Sequence, residues 1–277
     1  MSVAMFCFAS MDGMLRHITT ELHPFQTVFL RSFTGLLFLS PYLIYIGLDT
    51  LKTQRPLLHV ARGLSSVFGF TFWVVALSLI PLAEATALSF SMPIFATLGG
   101  VLILGERASW ARWGAVIVGF IGVLVIIRPG VTIVHVGALV TLLAACGFAA
   151  SALITRKLSA TEAPLTVVFF VSLFMSVVTL AMSLPVWRSP SIEILGFAAA
   201  SGALGTIAQL CLVRAYGMAD VSVIVPFDFM RLIFVTIIGF LVFAQTPDVW
   251  TWIGAILIVG GNTIATYREG RSKPDET

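Results

Sequence analysis

Four ionisable side chains lie deep inside apolar stretches of this chain: Asp12, Arg31, Asp228 and Arg231, with Glu84 nearer the end of its stretch. An ionised group at the centre of a bilayer costs roughly 2.5–3.5 kcal/mol even on the lenient insertion scale, so each needs a partner or a wet cavity. Arginine presents a planar fork that matches carboxylate or phosphate. Aspartate can hold an ammonium or sulfonium group, or accept a proton. Asp12 lies five residues before His17, and Arg31 seven beyond Pro24. At 1.5 Å per residue both sit about 8–10 Å below one membrane surface and can meet if their helices are neighbours. Asp228 and Arg231 are three residues apart, on one face of one helix. Two readings stand for each pair: an internal salt bridge that fixes helix packing, or a contact to a polar ligand. Trp73, Phe90, Phe227 and Phe229 can supply flat apolar walls for such a site. Glu84 either lines an external mouth or caps its helix start electrostatically. Pro93 and Pro226 loosen the backbone near mid-membrane, where broken helices border binding sites.

The composition dictates the elements that carry these residues. Hydrophobic residues make up 58% of the 277 and charged residues 10%. Soluble domains carry about 25% charged residues, so this chain cannot clothe itself in a water-facing surface. A spanning helix needs roughly 20 apolar residues. The apolar runs predict ten helices, at residues 2–17, 24–47, 60–79, 82–104, 111–128, 134–155, 164–186, 192–214, 219–244 and 249–267. They leave no room for a soluble domain. Interruptions at His23-Pro24, Ile80-Pro81, Arg128-Pro129-Gly130, Ala163-Pro164 and Thr246-Pro247 punctuate them. The first run begins at once without a basic flank, which argues against a cleaved signal peptide.

Basic residues orient the bundle. With the N-terminus cytoplasmic, eleven of the sixteen Lys and Arg fall on the inner side and only Arg16, Arg128 and Arg188 on the outer. The excess of positive charge lies inside, so both termini are expected to be cytoplasmic. Trp110, Trp113, Trp187, Trp250 and Trp252 fall near helix ends, as an aromatic belt requires. Arg62, at a helix start, reads as an interfacial residue with its charged head drawn toward water.

The two halves of the chain echo each other. Arg16, Pro24 and Phe29 match Arg156, Pro164 and Phe169 at a spacing of 140 residues; Ala76, Phe95, Thr97 and Gly100 match Ala215, Phe234, Thr236 and Gly239 at 139. Trp110 and Gly114-Ala115 then match Trp250 and Gly254-Ala255. Five helices per copy is an odd number, so the second copy must cross the bilayer in the opposite sense. Asp12, Arg31, Asp228 and Arg231 have Ala152, Val171, Ser89 and Met92 at the matching positions, none ionisable. Small residues at Ala111, Ala115 and Gly119, and at Ala145 and Ala149, predict close helix packing.

The two five-helix copies, the LGER sequence ending helix 4 and the run AYGMADVSVIVPFDFMRLIF resemble the EamA-like branch of the drug/metabolite transporter superfamily over essentially the whole chain. HPFQTVFLRSF, LKTQRPLLHVARGL and ATALSFSMPIFATL more narrowly resemble bacterial S-adenosylmethionine uptake transporters. The resemblance implies an all-α integral membrane protein of the bacterial inner membrane, with ten transmembrane helices as two inverted five-helix EamA repeats. The repeats are expected at residues 1–130 and 131–268, with a cytoplasmic tail at 269–277. It implies a carrier for a small polar or zwitterionic metabolite, alternating between inward- and outward-open forms. One departure stands out: Gln245 occupies a turn where the family often places Glu, which puts that residue's structural role in doubt.

The expected partners are the lipid bilayer, a small-molecule substrate, and a coupling proton or exchanged solute. A proton would pass through Asp12 or Asp228. With no nucleotide-binding loop, transport must run on gradients. No cofactor or metal is implied: His17, His23, His59 and His135 are scattered near helix ends, and Cys7, Cys146 and Cys211 lack paired spacing. Basic residues spread over short loops do not point to nucleic acid. A membrane enzyme would need a catalytic cluster of His or Cys near an interface, and a channel would show steady conductance instead of saturable exchange.

Overall fold

A computed structural model describes residues 2–47, 51, 53–104, 109–128, 135–159, 161–218 and 221–272. Within these, the side chains of 46, 103–104, 111, 213–218, 221–229, 266 and 269–272 are not described. The chain forms α1 (Ser2–Ile18), α2 (Pro24–Ile46), α3 (Pro56–Leu79), α4 (Leu82–Ser89), α5 (Met92–Leu104), α6 (Trp110–Ile127), α7 (Val136–Ser159), α8 (Pro164–Ser183), α9 (Ile192–Met218), α10 (Val221–Phe243) and α11 (Val249–Ser272). Among the described residues, six segments are long and apolar enough to cross a membrane, one of them running through α4 and α5; three shorter apolar helices accompany them.

Local chemistry fixes the starts. Proline occupies the first turn of α2, α3 and α8, where its missing N–H costs nothing. This explains why α3 begins at Pro56, four residues earlier than its hydropathy predicts. His23 and Ser109 cap α2 and α6 by accepting from the backbone N–H of Phe25 and Arg112.

The fourth predicted helix is broken. Proline at 93 removes an amide donor and crowds the carbonyl of Ser89, so α4 ends in a turn at Phe90–Ser91 and α5 restarts at Met92. Asn262 of α11 donates to the Phe90 carbonyl at 3.3 Å, covering a group the break leaves exposed. Pro226 has no such effect on secondary structure, and α10 runs helical from Val221 to Phe243.

The helices of the first half pack mainly on those of the second: α1 on α9 and α10, α2 on α8 and α9, α3 on α7 and α8, α4 and α5 on α7, and α6 on α11. Small residues permit the close crossings. A Cβ on Gly147 would lie 2.6 Å from Cα of Gly69, and one on Gly122 2.7 Å from the Gly254 carbonyl oxygen. Ala115, Ala145 and Ala149 are buried, and a Cβ on Gly119 would lie 2.7 Å from Ile94, as the small-residue rows predict. The Ala111 side chain lies outside the described residues. The largest apolar cluster joins Leu15, Trp73, Leu77, Leu88, Leu232 and Ile258 from five helices. Outward faces are apolar too: Ile117, Phe120, Ile121 and Leu124 line α6, and Ile233, Ile237, Phe240 and Leu241 line α10. Such apolar stripes fit lipid rather than water.

Candidate functional site

Asp12 is fully buried on α1, and its carboxylate draws together three helices from both halves. Arg231 of α10 donates through Nη2 at 2.6 Å and Nε at 3.2 Å, both to Oδ2. Trp73 of α3 donates its indole N–H to Oδ1 at 3.0 Å. The guanidinium of Arg231 also lies 5.2 Å from the Trp73 ring and 5.5 Å from Phe8. Both carboxylate oxygens thus accept hydrogen bonds.

Of the two predicted pairings, the one between Asp12 and Arg31 is not formed, and Arg231 takes Asp12 as its carboxylate. Helix depth allowed the first pairing, but α1 packs chiefly against α9 and α10, which delivers Arg231. The side chains of Asp228 and Phe227 lie outside the described residues. Trp73 is 1% exposed and acts as a donor to Asp12 rather than as an open wall. Phe90 sits at the α4–α5 break, packed against the main apolar cluster.

Arg31 takes a different position. It is 8% exposed, stacks 4.4 Å from the Phe70 ring, and its Nε has no hydrogen-bond partner. It faces a cavity of about 80 Å³ between α2, α3, α7, α8 and α9. Arg62 lines the same cavity, which corrects its reading as an interfacial residue: it is 4% exposed, donating from Nε to Thr155 at 2.6 Å and from Nη1 to the Val167 carbonyl at 2.5 Å. Its head is held by α7 and α8 inside the bundle instead of being drawn out to water. The clue lay in the spacing of Arg62, Ser66, Phe70 and Trp73, which recur every three or four residues on one face of α3.

Glu84 lines a second cavity, of about 220 Å³, with Arg128, His135, Asp248 and Thr251. Arg128 Nη2 pairs with Asp248 at 2.6 Å across it. Glu84 also lies in the first turn of α4, where a carboxylate complements the helix start, so the position meets both readings. Gln245 resolves the doubt over its turn. Ala244 adopts a left-handed conformation at φ 51°, and Gln245 N–H bonds back to Gly239 at 2.9 Å. The Gln245 Oε1 then accepts from the first amide of α4, Leu82 N–H, at 3.1 Å, so the amide supplies a helix cap from the other half.

A third polar cluster was not anticipated. His59 Nε2 lies 2.5 Å from Glu162, which also accepts from the Thr53 hydroxyl. Burial raises the Glu162 carboxyl, but hydrogen bonds from Thr53 and His59 and the charges of His59 and Arg55 outweigh it and hold it below its usual range.

A family model described as "EamA-like transporter family" matches residues 1–128 and 135–267. The chain is 31% identical to an S-adenosylmethionine uptake transporter of Rickettsia bellii, over 94% of this chain and 90% of that one. It is also 31% identical to a riboflavin transporter of Vibrio cholerae, over 94% and 89%. A crystal structure at 19% identity superposes with a TM-score of 0.62 over 99% of both chains and shares the fold. The chain belongs to the EamA-like transporter family. It is a multi-pass membrane transporter of small molecules, not an enzyme.

Proposed function

We propose that this transporter is a secondary carrier for a small polar or zwitterionic metabolite, of the S-adenosylmethionine or amino-acid kind, working by alternating access in the bacterial inner membrane. Its moving parts are two inverted five-helix repeats, residues 1–130 and 131–268, with both termini cytoplasmic. The packing supports this reading. If α1, α2, α3, α4–α5 and α6 correspond to α7, α8, α9, α10 and α11, then exchanging the halves maps α1–α9 onto α7–α3 and α2–α9 onto α8–α3. The same exchange maps α1–α10 onto α7 with α4–α5, and leaves α2–α8 and α6–α11 unchanged.

One observation carries the mechanism: the Asp12–Arg231 pair joins a helix of one half to a helix of the other at the buried centre. A pair that spans two moving bodies can be remade when they rock, whereas a pair within one helix cannot. Asp12 holds Arg231 while the site is empty, and a substrate ammonium or sulfonium, or a proton, competes for its carboxylate. Arg31 receives the opposite end of the substrate. Trp73 holds the Asp12 carboxylate beside the path, Phe90 borders the path at the α4–α5 break, and Phe227 and Asp228 occupy the α10 turn preceding Arg231. Glu84 meets the substrate in the outer mouth.

The Rickettsia relative's name makes S-adenosylmethionine the first substrate to test. Counterflow of the labelled compound into preloaded proteoliposomes, with an amino-acid pool in parallel, is expected to be saturable. Steady conductance without exchange would replace the carrier by a channel. Arg231→Ala is expected to insert and to lose exchange; full exchange by that variant would remove Arg231 from the mechanism.

A further inference from the structure

Two buried arginines share one small cavity, and among the described residues lining it there is no carboxylate. Arg31 makes no contact ion pair, the charge of Asp12 reaching it only from beyond bonding distance, and its Nε has no hydrogen-bond partner. Beside it the Ser32 hydroxyl is buried and equally unpartnered. The Arg62 fork is only partly used by Thr155 and Val167. Ser66, Ser151, Ser172, Thr206 and Gln209 add polar groups to the wall. A cation taken out of water and left unpaired is strongly unfavourable, and two in one cavity repel each other. Yet Arg31 is built in with care: a Cβ on Gly205 would lie 2.5 Å from its Nη2, so α9 carries glycine where the guanidinium passes.

We propose that the cavity between Arg31 and Arg62 is an anion subsite that takes one carboxylate of the carried molecule. This rests on the carrier reading above and restricts it to substrates with an acidic group. About 80 Å³ holds a carboxylate but not a whole metabolite, whose pockets run from roughly 300 Å³ upward. The remainder of the molecule therefore extends from the subsite toward Asp12, which can take its cationic end. The planar forks of Arg31 and Arg62 and the Ser32 hydroxyl line one cavity and supply the donor types a carboxylate takes.

Two arms test the subsite separately from the identity of the substrate. In the first, thermal unfolding of the purified protein is followed with acetate or with acetamide, its neutral isostere, at matched ionic strength. Acetate is expected to raise the midpoint of the wild type and acetamide to leave it unchanged. Arg31→Gln is expected to abolish the acetate effect while its own anion-free midpoint equals or exceeds that of the wild type, since an unpaired buried charge has been removed. Arg31→Lys is expected to restore part of the effect. In the second arm, counterflow compares S-adenosylmethionine with its decarboxylated analogue, which lacks only the carboxylate, and a preference of about tenfold or more is expected, consistent with one charged hydrogen-bonded contact. If neither compound exchanges but the acetate effect and its loss in Arg31→Gln remain, S-adenosylmethionine is discarded and the subsite stands. If acetate and acetamide act alike, or Arg31→Gln keeps the acetate effect, the subsite is overturned even where S-adenosylmethionine is carried.

Discussion

Arg231 and Arg31 are both arginines inside the helix bundle, yet their surroundings differ in kind. Arg231 has a carboxylate held in place by Trp73, while Arg31 has an aromatic face on one side and an open cavity on the other. A satisfied charge contributes to holding helices together. An unsatisfied one costs stability, so its presence points to a ligand that completes it. Burial alone does not distinguish these roles; the inventory of partners does.

The strongest way to break the contrast is to remove the carboxylate from the satisfied side. Asp12→Ala leaves the part-buried Arg231 without its partner and is expected to destabilise the protein by about 3 kcal/mol, the lower end for breaking a buried pair, read from unfolding midpoints in detergent. Adding Arg231→Gln to Asp12→Ala should recover much of that loss without recovering exchange. Equal stability of the single and double variants would show that the pair does not hold the helices. On the other side, Arg31→Gln should leave stability unchanged while reducing exchange by about 10–150-fold, the range for one hydrogen bond to a charged group. A loss of stability resembling that of Asp12→Ala would make the two arginines alike.

The Glu162 cluster sharpens the comparison at a third paired site. Its carboxyl titrates below the usual range in the folded protein, so the unfolded chain binds the proton more readily. The stabilisation is therefore complete above the unfolded value of about 4.3, and is lost as pH falls through the folded value. The wild-type advantage over Glu162→Gln in unfolding midpoint should disappear as the pH falls through the acid range. The smallest effect is expected for Gln245→Ala, which removes a neutral cap on α4 and should cost about 1 kcal/mol of stability with little change in substrate affinity.

The spans were legible because lipid imposes one rule on every outward face, and apolar runs of the required length report it directly. Punctuation by proline located most helix starts. Pro93 and Pro226 show the limit of that signal: one accompanies a broken helix and the other a continuous one, and the difference depends on groups such as Asn262 that reach the backbone from elsewhere. The candidate site was half legible. Asp12, Arg31 and Arg231 stand out as charges in apolar sequence, but their pairing depends on which helices touch, and depth along a helix does not specify its neighbour. Arg62 and His59 read as end-of-helix residues because they lie where a charge ordinarily reaches water. Only the tertiary contacts of α3 with α7 and α8 enclose them.

The interleaving of the halves also sets a schedule for synthesis. When α3 leaves the ribosome, α7 has not been made, and some eighty residues must still be added before that partner is complete. At about 5–20 residues per second the wait is on the order of ten seconds. During it the buried face of α3, with Arg62, Ser66 and the glycine at 69, has lipid or the translocation machinery for company. Slowing elongation between codons 80 and 160 should therefore expose newborn chains to quality-control proteolysis more than slowing it after codon 220.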